Sequence, residues 1–443
     1  MTTNCILNKL MPMNKMERYL DSGAGKKLLA GLYRADDATR QKKRYMDVYR
    51  EFKEHFALDS HAPSPVFLIN VPGRVEIGGN HTDHNNGMVV AGSVSLDAVA
   101  VCAPVPNGII TIRDTAYNET IKVDTGDLNA LPEEEGTAGA LVKGAAAGLR
   151  NRGYKVGGFN AVLHNEVMSG SGLSSSAVFE VVCGTILNAL YNNGEIPFGV
   201  IAEVAQHAEN VFFGKPCGLM DQMACAAGGI VFIDFKDDRS PFVKSVPMDF
   251  DKSGYSVIVV KSGGNHAALT DQYAAIPKEM KSVASFFGKG VLRELSVDEL
   301  LAKASAVRDK CGDRAFLRSL HYFAENRRVL SELKALESGD MNSFLKLVSQ
   351  SGDSSWRLLQ NVVPSGDEKF QDMGVVLAVT ELFIHEKGRG ACRVHGGGFA
   401  GTILAFIHGD DAAAYVTMIE KITGKGSAVT LKMRSSGALS VLI

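Results

Sequence analysis

Hydrophobic and polar residues follow two spacings along this chain, and each spacing predicts one kind of element. Short runs of apolar residues between polar or glycine-rich segments predict buried strands. They occur at residues 66–71, 88–91, 93–101, 111–114, 120–123, 161–168, 229–234, 255–260, 403–407 and 431–442. Apolar residues at helical spacing predict helices at 26–32, 38–56, 136–149, from 178 onward, at 200–213 and 412–422, and over most of 268–385. The chain therefore mixes both kinds of element, with a mainly helical segment in its second half.

The length and composition indicate a globular protein with more than one domain. At 443 residues the chain exceeds what one hydrophobic core usually serves, so we expect two domains. Hydrophobic residues make up 45% and charged residues 22%, and the formal net charge is −2. No basic run or patch of interleaved aromatic residues occurs, so we expect no nucleic-acid partner. An anionic ligand must then be bound by local geometry.

Cysteine usage and hydropathy suggest the compartment. The seven cysteines are scattered and form no C-x-x-C pair, which favours free thiols in a reducing environment. The first 20 residues lack the apolar run of a signal peptide, and no stretch reaches the roughly 18 apolar residues of a membrane span. We therefore expect a cytoplasmic protein without membrane contact, acting as a monomer or a weak homo-oligomer.

A small-residue segment separates the strand at 161–168 from the helix that follows. It consists of Gly170, Ser171, Gly172, Leu173, Ser174, Ser175, Ser176 and Ala177. The first turn of a helix has free backbone N–H groups and a partial positive charge, and glycine lets a phosphate approach the backbone closely. The segment therefore fits a phosphate-binding loop. It also fits a serine-capped helix that follows a glycine turn, so both interpretations stay open.

Two further segments carry side chains suited to chemistry. Residues 72–87 hold four glycines, three asparagines, two histidines and single Arg, Asp and Glu residues between two predicted strands. Asp, Asn and His side chains can bind vicinal hydroxyls, although a polar hairpin loop has a similar composition. Asp221 stands among Leu219, Met220 and Met223. An acid in such apolar company is either a helix cap or a functional group.

A glycine run near the end of the chain, at 396–401, formally satisfies G-x-G-x-x-G. A dinucleotide-binding fingerprint needs a helix directly after the glycines, whereas residues 402–407 predict a strand. We interpret the run as a second anion-facing turn or as a turn packed against the segment at 170–177.

Four of these segments, in this order, resemble the GHMP kinases and, within them, the galactokinase family. They are 72–75 with 81–83, 170–177, 216–222 and 396–399, and the similarity runs from about residue 52 to the end. The resemblance implies an α+β, two-domain GHMP kinase fold. Its N-terminal domain is of ribosomal-protein-S5-like type, its C-terminal domain is α/β, and the active site lies in the cleft. On this basis we divide the chain into a helical N-terminal extension (1–62), an N-terminal domain (63–250) and a C-terminal domain (251–443).

The resemblance also implies a reaction, in which ATP phosphorylates the anomeric hydroxyl of a sugar with the help of Mg²⁺. Asp221 and Arg74 match the catalytic positions. The positions that contact the sugar in the family correspond here to Asn80, His81, Asp83, His84, Gly218 and Tyr273. The segment at 170–177 would bind ATP, and Ser175, Ser176 and Glu209 would hold the metal ion.

Two departures from the family pattern concern the sugar. Asn80 stands where galactokinases have Glu, and His84 stands where they have Tyr. Asn can donate to a carboxylate on the substrate and His can carry positive charge, so galacturonate is an alternative to galactose. Residues 276–278 also lack the usual Arg pair, and His395 replaces a Thr. A non-catalytic sugar sensor is a third possibility, although Ser176 and Ala177, which such sensors lose, are present here.

Overall fold

A computed structural model describes residues 15–56, 65–167, 172–215, 217–237, 240–263, 269–366 and 369–443. The helices are α1 (Lys15–Asp21), α2 (Gly23–Leu32), α3 (Ala38–Phe56), α4 (Ala138–Asn151), α5 (Ser175–Tyr191), α6 (Phe198–His207), α7 (Met220–Ala227), α8 (Thr270–Phe286), α9 (Val297–Ala302), α10 (Ala304–Cys311), α11 (Asp313–Ser338), α12 (Met341–Ser354), α13 (Asp372–Lys387) and α14 (Gly409–Thr423). The strands are β1 (Phe67–Gly78), β2 (Met88–Pro104), β3 (Ile109–Asp114), β4 (Glu119–Asp124), β5 (Phe159–Asn165), β6 (Ile230–Asp234), β7 (Phe242–Val246), β8 (Tyr255–Gly263), β9 (Ala391–His395), β10 (Gly401–His408), β11 (Ala428–Leu431) and β12 (Leu439–Leu442).

The first sheet of the described chain has eight strands and is covered on both faces. Its main path runs β12-β1-β2-β5-β3-β4, with β6 paired to β2 and β7 paired to β6. One face, with Ile69 and Ala100, packs into the main hydrophobic core against helices α4 to α7. The opposite face, with Leu68 and Val101, packs against the three N-terminal helices. Burial on both faces explains why these strands are apolar without alternation.

The N-terminal helices α1 to α3 close the outer face of this sheet. Met16, Leu20 and Phe52 are fully buried between the helices and the sheet. The sequence predicted α2 and α3 but not α1 as a separate helix, and it left the role of this region open. In the structure, they form the second wall of a hydrophobic core, which the sheet would otherwise expose to water.

The second sheet has the order β11-β8-β10-β9 and is antiparallel. Helices α13 and α14 cover one face, on which Ile258 and Ile403 are buried. Leu404 and Phe406 of the other face join the main core together with Phe344 of α12. Helices α8 to α11 form a further apolar cluster beside this sheet. The molecule is thus an α+β protein with two sheets, as the resemblance implied.

The secondary structure of the segment at 72–87 differs from the prediction. A loop was expected from Pro72 onward, whereas β1 continues to Gly78. Pro72 lacks an N–H, but the register shift between Pro72 and Arg74 lets the strand bypass it. The predicted strands at 88–91 and 93–101 are one strand, β2. Only residues 79–87 form a loop, so Arg74 sits on a rigid strand.

The last strand returns to the first sheet. Residues 439–442 of β12 pair with residues 67–70 of β1 in antiparallel register. The proposed division into residues 1–62, 63–250 and 251–443 stays a prediction, and this pairing shows that the end of the chain contributes to the first sheet.

The six described cysteines all carry free thiols. Among the described helices, none is both long and apolar enough to cross a membrane.

Candidate active site

Asp221 lies in the first turn of α7 and forms an ion pair with Arg74 of β1. Arg74 Nε and Nη2 each lie 2.8 Å from Asp221 Oδ1. Ser174 Oγ donates to the other oxygen, Oδ2. Burial lowers the pKa of the Arg74 guanidinium, but the Asp221 and Glu76 carboxylates raise it above its usual value. Three segments that are distant in sequence thus meet at one carboxylate, which keeps about a third of its surface exposed.

The predicted phosphate loop is described from Gly172 onward, and Gly170 and Ser171 lie outside the described residues. The Gly172 carbonyl accepts a hydrogen bond from Arg74 Nη1. Leu173 is buried, and Ser174 precedes α5 in a left-handed conformation with φ 66°. Helix α5 then begins, and its first turn contains Ser175, Ser176 and Ala177. The free N–H groups of this turn therefore lie beside the ion pair of Arg74 and Asp221.

The glycine run at 396–401 packs against this loop. Gly172 has φ +72°, and a Cβ on it would lie 2.3 Å from Thr402 Oγ1 and 3.0 Å from His395 Nδ1. Both a positive φ and this close approach require glycine. Of the two interpretations of the glycine run, the packed turn matches the structure.

Glu209 follows α6 and collects three donors, among them Ser176. Ser176 Oγ donates to Glu209 Oε1 at 3.0 Å, and Lys215 Nζ lies 2.8 Å from the same oxygen. Gln222 Nε2 donates to Oε2 at 2.9 Å. The Ser175 hydroxyl instead lies 3.5 Å from the amide nitrogen of Asn165, the last residue of β5. The structure thus brings Ser176 and Glu209 together, while Ser175 has a different partner.

Asp83 and Gly218 adjoin each other on the other side of Asp221. A Cβ on Gly218 would lie 1.8 Å from Asp83 Oδ2, so a larger residue here would displace the Asp83 carboxylate. Burial, with a further contribution from the Asp221 and Glu76 carboxylates, raises the pKa of the Asp83 carboxyl to about 7. An acid with this pKa changes its charge near neutral pH.

His81, His84 and Tyr273 line the adjoining region. His81 Nε2 lies 3.0 Å from the Gly397 carbonyl, and His84 Nε2 lies 3.4 Å from His81 Nδ1. Tyr273 donates its hydroxyl to the Gly398 carbonyl at 2.7 Å. Burial lowers the pKa of both imidazoles, that of His84 well below its usual value, and nearby basic groups lower it further. The positive charge that the sequence allowed for His84 is therefore absent at neutral pH in this structure.

Asn80 is fully buried, and its amide is bonded within the protein. Its Nδ2 donates to Glu76 Oε1 at 2.9 Å and to the Gly396 carbonyl at 2.7 Å. Its Oδ1 accepts from Asn361 Nδ2 at 2.9 Å. Direct contact between this amide and a sugar would require some of these bonds to break. In the structure, Asn80 connects β1 to the glycine run.

The sequence did not reveal that polar side chains of β9 contact β1 beneath Asn80. Arg393 of β9 is fully buried, forms an ion pair with Glu76, and donates to the Ile77 carbonyl at 2.9 Å. His395 Nε2 accepts the Glu76 N–H at 3.0 Å, so its Nδ1 carries the proton that Thr402 Oγ1 accepts. The signal in the sequence was Arg393 within an apolar strand-like run, because a buried charge needs a partner.

Two family models match this chain. The model described as the GHMP kinases N terminal domain matches residues 140–229. The model described as the galactokinase galactose-binding signature matches residues 50–104. The first match includes the phosphate loop, Glu209 and Asp221, and the second includes Arg74 and the loop at 79–87.

Solved structures share most of this architecture. Galactokinase of Lactococcus lactis, crystallised with galactose, superposes with a TM-score of 0.74 at 22% identity, covering 88% of this chain and 98% of that one. Mevalonate kinase of Methanococcus jannaschii gives a TM-score of 0.59 at 13% identity, with 83% and 98% covered. A putative sugar kinase from Campylobacter jejuni gives 0.58 at 16% identity, with 86% and 100% covered.

The matched domain and the shared fold make this chain similar to the GHMP kinases, a class of ATP-dependent phosphotransferases. Within this class the galactose-binding signature makes it similar to the galactokinases, and the two family signals together indicate a phosphotransferase that acts on a sugar hydroxyl.

Proposed function

We propose that this protein transfers the γ-phosphoryl group of ATP to the anomeric C1 hydroxyl of a hexose, and that galactose is the preferred sugar. The observation that carries the proposal is the bonding of Asp221 to both Arg74 and Ser174. A carboxylate that can act on the sugar hydroxyl is thereby adjacent to the start of a helix, where the backbone N–H groups can bind phosphates. The galactokinase signature across residues 50–104 supports the choice of galactose.

The proposed reaction depends on positioning and on charge. The C1 oxygen forms a bond to the γ-phosphorus while the bond from this phosphorus to the ADP oxygen breaks. Asp221 accepts the hydroxyl proton or orients the hydroxyl electrostatically, and Arg74 supplies positive charge to the transferring group. Because Arg74 contacts Asp221 and the Gly172 carbonyl together, it holds the acceptor and donor sides in register.

The proposed metal site uses Ser176 and Glu209. Their oxygens lie 3.0 Å apart, and a hydroxyl with one carboxylate is a donor set that suits Mg²⁺ when phosphates supply further ligands. Bound Mg²⁺ would neutralise charge on the β- and γ-phosphates. Ser175 stays a predicted ligand, although its hydroxyl faces β5 in this structure.

On the sugar side we propose contacts from Asp83, His81, Gly218 and Tyr273, together with His84 and Asn80. The second candidate substrate is galacturonate, because the Lys281 ammonium places positive charge near His84. A carboxylate bound beside His84 would raise its pKa and make it a cation. The structure thus allows His84 to respond to an anionic sugar without carrying a charge beforehand.

The test is a side-by-side measurement of ADP release with galactose and galacturonate at saturating ATP and Mg²⁺. We expect a higher kcat/KM for galactose. A large preference for galacturonate would transfer the assignment to the uronic acid, and His84→Asn should then reduce kcat/KM for galacturonate more than for galactose. Binding of sugar and ATP without ADP release would contradict the proposed kinase activity and favour the non-catalytic sensor.

A further inference from the structure

We propose that the N-terminal helix α3 positions the nucleotide-binding loop by holding Glu166, the residue that follows β5. This inference rests on the proposed function, since it assigns ATP to the segment at 170–177. It gives the N-terminal helices a role in substrate binding in addition to their role in covering the sheet.

Glu166 lies directly after β5, and the residue before it contacts the first turn of α5. Its neighbour Asn165 accepts the Val167 N–H at 2.9 Å and lies 3.5 Å from Ser175 Oγ in the first turn of α5. Glu166 donates its own N–H to the Asp97 carbonyl of β2 at 3.0 Å. A displacement of this junction would therefore reach the first turn of α5, which is the described end of the loop.

Three side chains of α3 converge on the Glu166 carboxylate. Arg44 Nη1 lies 2.8 Å from Oε2, Gln41 Nε2 donates to the same oxygen at 3.3 Å, and Arg40 pairs with Oε1. The carboxylate is only 14% exposed, so water screens these charges little. One acid thus binds two arginines of a separate segment.

The donors on α3 are themselves fixed. Arg40 Nε and Gln41 Nε2 each bond to the Asp37 carboxylate, at 2.5 and 2.9 Å. Arg44 is buried and also donates to Asp97, at 2.6 Å to the carboxylate and 3.1 Å to the carbonyl. A binding loop held in advance loses less conformational freedom when its ligand binds, which increases affinity. Glu166, Arg40 and Arg44 are therefore positioning residues for the nucleotide.

The test uses Glu166→Gln and Arg40→Ala in the full chain, because these changes break the contact from opposite sides and Arg40 is half exposed. Isothermal titration measures the Kd of a non-hydrolysable ATP analogue and, separately, of galactose. We expect each variant to weaken the nucleotide by about tenfold and the sugar by less than about twofold. The double variant should be no weaker than Glu166→Gln alone, because that change already removes the ion pair with Arg40.

Asp47→Asn is the matched control. Asp47 also lies on α3 and pairs with an arginine, Arg50, at 2.9 Å, but on the exposed side of the helix. It should leave both dissociation constants unchanged. Unchanged nucleotide affinity in both single variants would overturn the inference, as would equal weakening of both ligands, which indicates general loosening. If the wild-type protein binds no nucleotide, the proposed function fails together with the inference, and the wild-type titration alone reveals this.

Discussion

At the scale of single residues, the structure decides what the sequence left open for Asp221. Helix α7 begins after Leu219 without a side-chain cap, so Asp221 does not act as an N-cap. Its two oxygens instead bond to Arg74 and Ser174. The sequence contained all three residue types, but their contact depends on three elements meeting, which local spacing cannot predict.

Replacing Asp221 by Asn should abolish turnover while leaving nucleotide binding nearly intact. The amide keeps the shape but can neither accept the hydroxyl proton nor balance Arg74, so we expect kcat to fall by about 10³-fold or more. ADP release and nucleotide titration measure the two effects. Asp234→Asn is the control, because Asp234 pairs with Arg293 at the same 2.8 Å. Near-normal turnover in Asp221→Asn would remove this residue from the mechanism.

The Asp83 carboxyl should make sugar binding depend on pH. Its pKa is about 7, and sugar hydroxyls donate to the ionised form. Below pH 7 the carboxyl takes up a proton, so the Kd of galactose should rise by up to about tenfold for each further pH unit. Titrations between pH 5.5 and 8.5 measure this change, and Asp83→Asn should remove it. A Kd that is constant with pH in the wild-type protein would contradict the assignment.

The two residues that differ from the family pattern, Asn80 and His84, have contacts that the sequence could not reveal. Asn80 and His84 were recognised from their positions alone, and both were assigned to the sugar. The structure adds partners from the second half of the chain, since Asn80 bonds to Asn361 and to the glycine run. Such long-range partners come together only in the folded chain, so the sequence could not predict which groups the Asn80 amide bonds to.

At the scale of elements, most helices and strands followed from their spacing, and the exceptions have physical reasons. The hairpin of β3 and β4, the helix α5 and the strand β10 lie where the pattern predicted them. Strand β7 was missed because Val246 alone of its five residues is buried, and β9 because Arg393 and His395 interrupt its apolar run. Both strands are stabilised by pairing with a neighbouring strand, which a local window does not record.

Helix α11 buries a carboxyl against β1 that should make stability depend on pH. Glu332 is fully buried beside Gly78, and neither oxygen has a hydrogen-bond partner among the described residues. Burial raises its pKa from 4.5 to about 7. Between these values the folded protein keeps a proton that the unfolded chain loses. The contribution of Glu332 to stability is therefore present below pH 4.5 and is lost as the pH rises to about 7.

Glu332→Gln should flatten this dependence and raise the free energy of unfolding above pH 7 by about 1–3 kcal/mol. Urea denaturation at pH 5 and pH 8 measures the change. Glu337→Gln is the control, because Glu337 lies on the surface of the same helix and pairs with Lys244 at 2.5 Å. Equal differences between the two pH values in Glu332→Gln and the wild-type protein would show that Glu332 does not titrate in this range.

At the scale of the whole molecule, one carboxylate joins distant parts of the chain. Asp97 of β2 is fully buried and bonds to Arg44 of the N-terminal helices at 2.6 Å and to Arg434 near the end of the chain at 3.0 Å. Tyr33 and Asn70 donate to it as well, at 2.6 and 2.7 Å. The N-terminal helices, the first sheet and the final segment are therefore connected through a single side chain.

Asp97→Asn should lower the free energy of unfolding by about 3–5 kcal/mol, because it leaves two buried arginines without their counter-charge. Urea denaturation measures this loss. Asp36→Asn, which removes an exposed ion pair with Arg34 at 3.4 Å, should change stability by less than about 1 kcal/mol. A small effect of Asp97→Asn would mean that other groups neutralise Arg44 and Arg434.

The pairing of β12 with β1 also bears on how the protein is made. Phe67 pairs with Leu442, so the outer edge of β1 acquires its neighbour only after 375 further residues have been synthesised. At about 5–20 residues per second, this leaves a strand edge unpaired for roughly 20–75 seconds on each nascent chain. Such an edge is a template for pairing with other chains. Slower translation or crowded expression should therefore reduce the soluble yield before it affects the specific activity of the molecules that do fold.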